Sequence, residues 1–201
     1  MNVRTRSALE ALIFLLGALA YLWLFFKPHP ATGLVLALSI VISWRGHRRS
    51  ARELGLGFGT LYRSFSRWRY LWIVITVLFL VLGRRILFNL HTLERGLIYF
   101  VWCAAQQIVL QSMIYRPLRD SSKARWPAVL LAAVAFSIIH APNPVLLPAT
   151  FIWGAASCLL FEDCPSLWGL ALLQVMLSSL LLWLTPYSMN HGFRIGPIYN
   201  K

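Results

Sequence analysis

The chain has 201 residues, 59% of them hydrophobic and only 12% charged, with a mean hydropathy of +0.66. Its charges cluster between long apolar runs, a distribution that excludes a soluble globular domain and marks an integral membrane protein. A net charge of +13 would suit nucleic-acid binding in a soluble protein. Here the basic residues flank apolar runs instead of forming a basic domain, which excludes a nucleic-acid partner and leaves topology and attraction to anionic membrane lipids.

About 20 apolar residues cross a bilayer as a helix, and no run shows the ~10-residue alternation of a barrel strand. The expected fold is therefore all-α, a polytopic transmembrane helical bundle of about seven spans, forming a single integral membrane domain over residues 1–201. The first run, Ala8 to Phe26, is long enough to span, and "YLWLFFKPHP" at its end lacks the small-residue cleavage pattern of a signal peptide. The second is Ala31 to Trp44. After it, Phe58, Leu61, Phe65 and Trp68 recur at three- and four-residue spacing with arginines between, the pattern of a helix lying in the membrane interface. Gly55, Gly57 and Gly59 weaken its start, and a solvated basic loop is the alternative.

The remaining runs are Tyr70 to Gly83, Gly96 to Tyr115, Pro127 to Ala141, Pro144 to Phe161 and Pro165 to Pro186. Of all seven runs, the second, third and fifth are short, as re-entrant or protein-buried helices are. Cys103, Cys158 and Cys164 form no CxxC pair, which argues against a disulfide framework. Cytoplasmic loops accumulate lysine and arginine. With the N-terminus inside, thirteen of them fall on the cytoplasmic side, including the seven arginines from Arg45 to Arg69. Six fall outside: Lys27, Arg84, Arg85, Arg95, Arg194 and Lys201. The expected orientation is N-terminus cytoplasmic.

Polar residues in the last spans recur at helical spacing. Gln107 and Gln111 are four apart, as are Phe136 and His140, and Gln174 and Ser178. Each pair shares a helix face, so three helices present polar faces inside an apolar bundle. The plain structural reading is interhelical hydrogen bonding. The functional reading is one chamber in which Gln106 or Gln107, Gln111, His140 and Gln174 converge.

These segments resemble the CAAX-protease and bacteriocin-processing (CPBP, or ABI) family of intramembrane metalloproteases. The resemblance covers about Gly96 to Trp183. "FSIIHAPNP", Phe136 to Pro144, is similar to the family's Phe-x-x-x-His motif and the Asn-Pro turn after it. "TFIWGAASCLLFEDCPSLWGLALLQ" resembles its glycine-bearing span and the start of the next helix. In that register, Gln106 and Gln107 stand where the family has two glutamates, and Gln111 where it has arginine. Gln174 stands at a histidine position and Ser178 at an asparagine position, so only His140 of the implied catalytic and metal-binding set is retained.

A glutamine amide has no usable basic lone pair near neutral pH and cannot take a proton from an attacking water. A catalytic zinc site needs three ligands from His, Cys or carboxylate, and here the resemblance supplies His140 alone. The implied protein is thus a CPBP homologue with a degenerate active site, a non-catalytic binder or scaffold for a membrane-anchored peptide or protein, with no cofactor. The alternative is a divergent intramembrane endopeptidase, and only that reading calls for zinc or another divalent metal. The family implies a bacterial inner membrane.

Other residues offer little chemistry. Cys103 lies one turn before Gln107, where a thiolate dyad with His140 is conceivable, but a buried structural cysteine is the plainer reading. Glu162 and Asp163 read as solvated carboxylates at the cytoplasmic end of the sixth run. His29, His47, His91 and His191 fall in loops.

Overall fold

The computed structural model describes residues 3–25, 29, 31, 33–46, 50–83 and 90–199. Expectations resting on Lys27, His47, Arg48, Arg49, Arg84, Arg85 and Lys201, and on the side chains of Arg4 and His91, lie outside the described residues. The helices are α1 (Val3–Ala20), α2 (Gly33–Gly46), α3 (Phe58–Arg67), α4 (Arg69–Gly83), α5 (Leu90–Ile108), α6 (Arg116–Ser121), α7 (Arg125–Ile138), α8 (Leu146–Asp163), α9 (Leu167–Leu184) and α10 (Tyr187–Asn190). No strand occurs among the described residues, so the protein is the helical membrane bundle expected.

Among the described residues, four helical stretches are long and apolar enough to cross a membrane: Thr5–Phe25, Glu94–Ser121, Leu146–Asp163 and Leu167–Leu184. A fifth span results if α3 and α4, bent by 88° at their junction, count together, and α2 and α7 are shorter apolar helices. In order, these seven match the seven apolar runs, and the three that fall short are the second, third and fifth. Large apolar side chains on these helices face outward, Leu34, Ile42 and Ile152 among them. Exposure of that kind is stable only where the surroundings are hydrocarbon.

By contacts the chain forms two compact units, each assembled from separate stretches. The first comprises Met1–Arg49, Val109–Leu159 and Phe193–Lys201. Its core gathers Leu110, Ile114 and Tyr115 with Ala128, Ala132 and Phe136 of α7 and Cys158 of α8. The alanines matter because, without a hydrophobic drive in lipid, helices associate through close backbone approach. A Cβ on Gly154 would lie 3.1 Å from the Cα of Ala133, so α7 and α8 meet at that glycine. Buried Asn143 starts α8: its Oδ1 accepts from the N–H groups of Val145 (3.1 Å) and Leu146 (3.0 Å). That is N-capping, and it satisfies two otherwise orphaned donors. The Asn143 amide donates to the Arg194 carbonyl, and the Gly196 N–H donates to the Ala141 carbonyl, seating the tail on this turn.

The second unit comprises Ser50–Ile108 and Leu160–Gly192. Its centre is α9, against which α3, α4 and α5 pack. Ser166 caps α9, accepting from the Gly169 N–H at 3.2 Å. Gly55 occupies the left-handed region (φ +71), and a Cβ there would meet the backbone of Pro165 and Leu167 at 3.0 Å. Only glycine combines that dihedral with that approach. The Gly55 carbonyl accepts from the Leu167 N–H, and the Leu56 carbonyl from the Trp168 indole at 2.7 Å.

A helix forms over Phe58–Arg67, with one change to the expected face. Phe58, Tyr62 and Phe65 are exposed, while Thr60, Ser64 and Trp68 are buried. The small polar side chains turn inward because the docking site is Gly169: a Cβ there would lie 2.5 Å from Ser64 Oγ, room that no aromatic ring could share. Both hydroxyls bond their own helix, Ser64 Oγ to the Leu61 carbonyl and Thr60 Oγ1 to the Gly57 carbonyl, so their burial leaves no unmet donor.

Candidate functional site

The glutamines of the second unit form a chain of amides between α5 and α9. Gln107 Nε2 donates to Gln174 Oε1 at 2.6 Å, and Gln174 Nε2 donates to Gln106 Oε1 at 2.5 Å. Gln107 is wholly buried, Gln174 nearly so, and Gln106 half-buried at the end of the chain. Around them pack Cys103, Ala104 and Ala171, with Tyr99, Phe100 and Val175 at the margin. An amide can run such a chain because it donates and accepts at once. Two carboxylates cannot, since ionised carboxylates only accept and repel each other at this range. Ser178, one turn beyond Gln174, lies beside Tyr99, which also meets Cys103. Cys103 is a buried free thiol in the apolar cluster with Ala104 and Ala171.

In the first unit, His140 sits in the turn after α7, 5% exposed. Its Nδ1 lies 2.7 Å from the Phe136 carbonyl, and a carbonyl only accepts, so Nδ1 carries the proton and Nε2 is the ring's basic atom. The Phe136 ring meets the imidazole edge-on, with centroids 4.8 Å apart. The four-residue spacing of the Phe-x-x-x-His motif therefore places the imidazole both on its own helix's carbonyl and against the aromatic ring.

Gln111 Nε2 donates to Ser157 Oγ at 3.2 Å, and Ser157 Oγ to the Gly154 carbonyl at 3.1 Å. Gln111 lies in a π-helical stretch, Val109–Tyr115, that follows α5. Such a stretch widens the turn beyond 3.6 residues, so the regular spacing used to put Gln107 and Gln111 on one face ends at Ile108.

The donor set does not fit a catalytic zinc. Among the described residues, no three of His, Cys, Asp and Glu gather as a metal would need. The side chains at the relevant positions of α5 and α9 are neutral amides bonded to one another, which leaves no ligand set of the kind zinc takes.

The sequence reading missed a second polar constellation. Asp163 is no merely solvated carboxylate: Arg67 Nε and Nη2 donate to it at 2.6 to 2.9 Å, and the Trp68 indole at 3.3 Å. Arg67 is exposed and Asp163 partly so, which leaves the pair screened by solvent. An acid at the end of an apolar run, opposite a basic helix, was the available signal. Glu162 is exposed, and the His191 ring lies 6.4 Å from that of Tyr187.

No curated protein and no solved structure matches the chain. Residues 96–180 match the family model described as type II CAAX prenyl endopeptidase Rce1-like. That segment runs from α5 into α9 and carries every glutamine of the amide chain, His140 and the Phe-x-x-x-His turn. The chain is thus a helical membrane protein whose residues 96–180 are similar to the CAAX-protease-like (CPBP) family.

Proposed function

We propose that this protein binds a membrane-anchored peptide or lipid-linked segment and does not hydrolyse it. The observation that carries this reading is the mutual bonding of Gln106, Gln174 and Gln107 at the positions where the family resemblance calls for two carboxylates and a histidine. Groups that satisfy one another as neutral amides supply neither a general base nor metal ligands. Half-buried Gln106, at the end of that chain, presents an uncharged polar group in an apolar setting, suited to a backbone amide of a bound segment. In this reading no metal cofactor takes part.

The test uses the full chain extracted in detergent. Elemental analysis is expected to find no stoichiometric transition metal, and a co-reconstituted membrane peptide is expected to stay intact. Cleavage that disappears with His140→Ala would reject this reading. It would instead favour a divergent endopeptidase, the reading supported by the fixed tautomer of His140 with its basic Nε2.

We place the protein in a bacterial inner membrane with its N-terminus and the Arg45 to Arg69 segment cytoplasmic, on the arginine asymmetry. Reporter fusions after Arg69 and after Arg125 should both read cytoplasmic. An external signal from either would reverse the orientation.

A further inference from the structure

At the 88° elbow between α3 and α4 there is a groove of about 630 Å³. Its lining includes Tyr62, Arg63, Arg67, Arg69, Tyr70 and Asp163, all within the second unit. α4 is a nearly uninterrupted apolar helix, "RYLWIVITVLFLVLG", and so belongs in hydrocarbon. A helix turned 88° from it runs along the membrane plane, with exposed Phe58, Tyr62 and Phe65 as the apolar residues that hold it there. The elbow therefore sits at the depth of the lipid headgroups.

Its charge is unbalanced. Three guanidinium groups face one carboxylate, leaving a formal +2 in the groove. Asp163 binds Arg67 through Nε and Nη2, so the Nη1 donors of Arg67 are not spent on it. Arg63 and Arg69 make no ion pair among the described residues. Arg63 uses Nε for the Gly59 carbonyl at 3.4 Å, and Arg69 stacks over the Tyr70 ring at 5.0 Å. Asp163 thus fixes the Arg67 fork in place while the other two cations remain for a ligand, and planar guanidinium forks match phosphate oxygens.

We propose that this elbow is a binding site for an anionic glycerophospholipid, with the phosphodiester held by Arg63, Arg67 and Arg69. The occupant is a lipid and not free phosphate, because the cations are bordered by exposed aromatic rings that lie along acyl chains. It is a lipid of net negative charge, such as phosphatidylglycerol, because a choline or ethanolamine ammonium would meet the excess positive charge of the groove.

The experiment titrates the full chain, in uncharged detergent micelles, with short-chain phosphatidylglycerol, short-chain phosphatidylcholine or inorganic phosphate, reading bound adducts by native mass spectrometry. Phosphatidylglycerol is expected to bind saturably, and Arg63→Gln with Arg69→Gln to weaken it about tenfold or more. Both side chains are exposed or project from the surface, so the fold should survive their loss. Arg45→Gln with Arg52→Gln removes the same charge outside the groove and should leave binding within about twofold. Asp163→Asn should tighten binding by raising the groove's charge. Equal binding of phosphatidylcholine, equal competition by inorganic phosphate, an equal loss in the Arg45 and Arg52 variant, or weaker binding in Asp163→Asn would each overturn the proposal.

Discussion

Gln106→Glu, Gln107→Glu and Gln174→His, introduced together, are expected to make the purified protein retain stoichiometric zinc, and the wild type is expected to retain none. The three side-chain ends already lie within hydrogen-bond distance of one another in succession, Gln107 to Gln174 at 2.6 Å and Gln174 to Gln106 at 2.5 Å. Two carboxylates and an imidazole in those places supply the ligand types and the number that zinc requires. Without metal the variant should be less stable than wild type by several kcal/mol, because two adjacent buried carboxylates repel each other and lose their hydration. With zinc in excess, about 4 kcal/mol returns if the free metal stands near a thousand times its dissociation constant. A chelator should therefore lower the thermal midpoint of the variant and leave that of the wild type unchanged. A variant purified metal-free, with a midpoint indifferent to zinc, would show that the amide chain does not stand in for a ligand set.

Gly169→Val should destabilise the protein by about 3 kcal/mol, at the upper end of what overpacking a close-packed contact costs. Even a methyl group there would meet Ser64 Oγ at 2.5 Å and Ser64 Cβ at 3.1 Å, and Ser64 is tied by its hydroxyl to the Leu61 carbonyl. Valine adds two further carbons, so α3 must move off α9. Ser64→Gly removes the atoms in collision, and adding it to Gly169→Ala should recover most of the stability that Gly169→Ala loses. A double-mutant cycle with no coupling between the two positions would mean that α3 does not rest on Gly169. Unfolding in denaturant, followed by tryptophan fluorescence, reads both results.

Composition alone determined that the protein is a helical membrane protein. In a medium without water every backbone group must bond internally, and long apolar runs with clustered charges leave helices as the solution. The seven runs reappear as four spanning stretches, one bent pair and two short helices, because run length is what decides whether a segment can cross. The family motifs were legible for a similar reason. Phe136 and His140 keep the spacing their contact needs.

The pairing of side chains was decided only in three dimensions. Leu34 is 67% exposed and Leu170 fully buried, yet both are leucines in apolar helices. Lipid is as apolar as a protein interior, so hydropathy cannot separate a lipid-facing side from a protein-facing one. For the same reason the aromatic residues of α3 gave its amphipathic spacing but not its packed face, which Gly169 set by admitting Ser64 and nothing larger. The partners of Gln107 and Gln111, Gln174 and Ser157, lie 67 and 46 residues away in the chain. A buried amide announces that it needs partners. Which ones it finds depends on the helix packing, and in Gln111 also on a π-helical turn that no periodicity in the sequence displays.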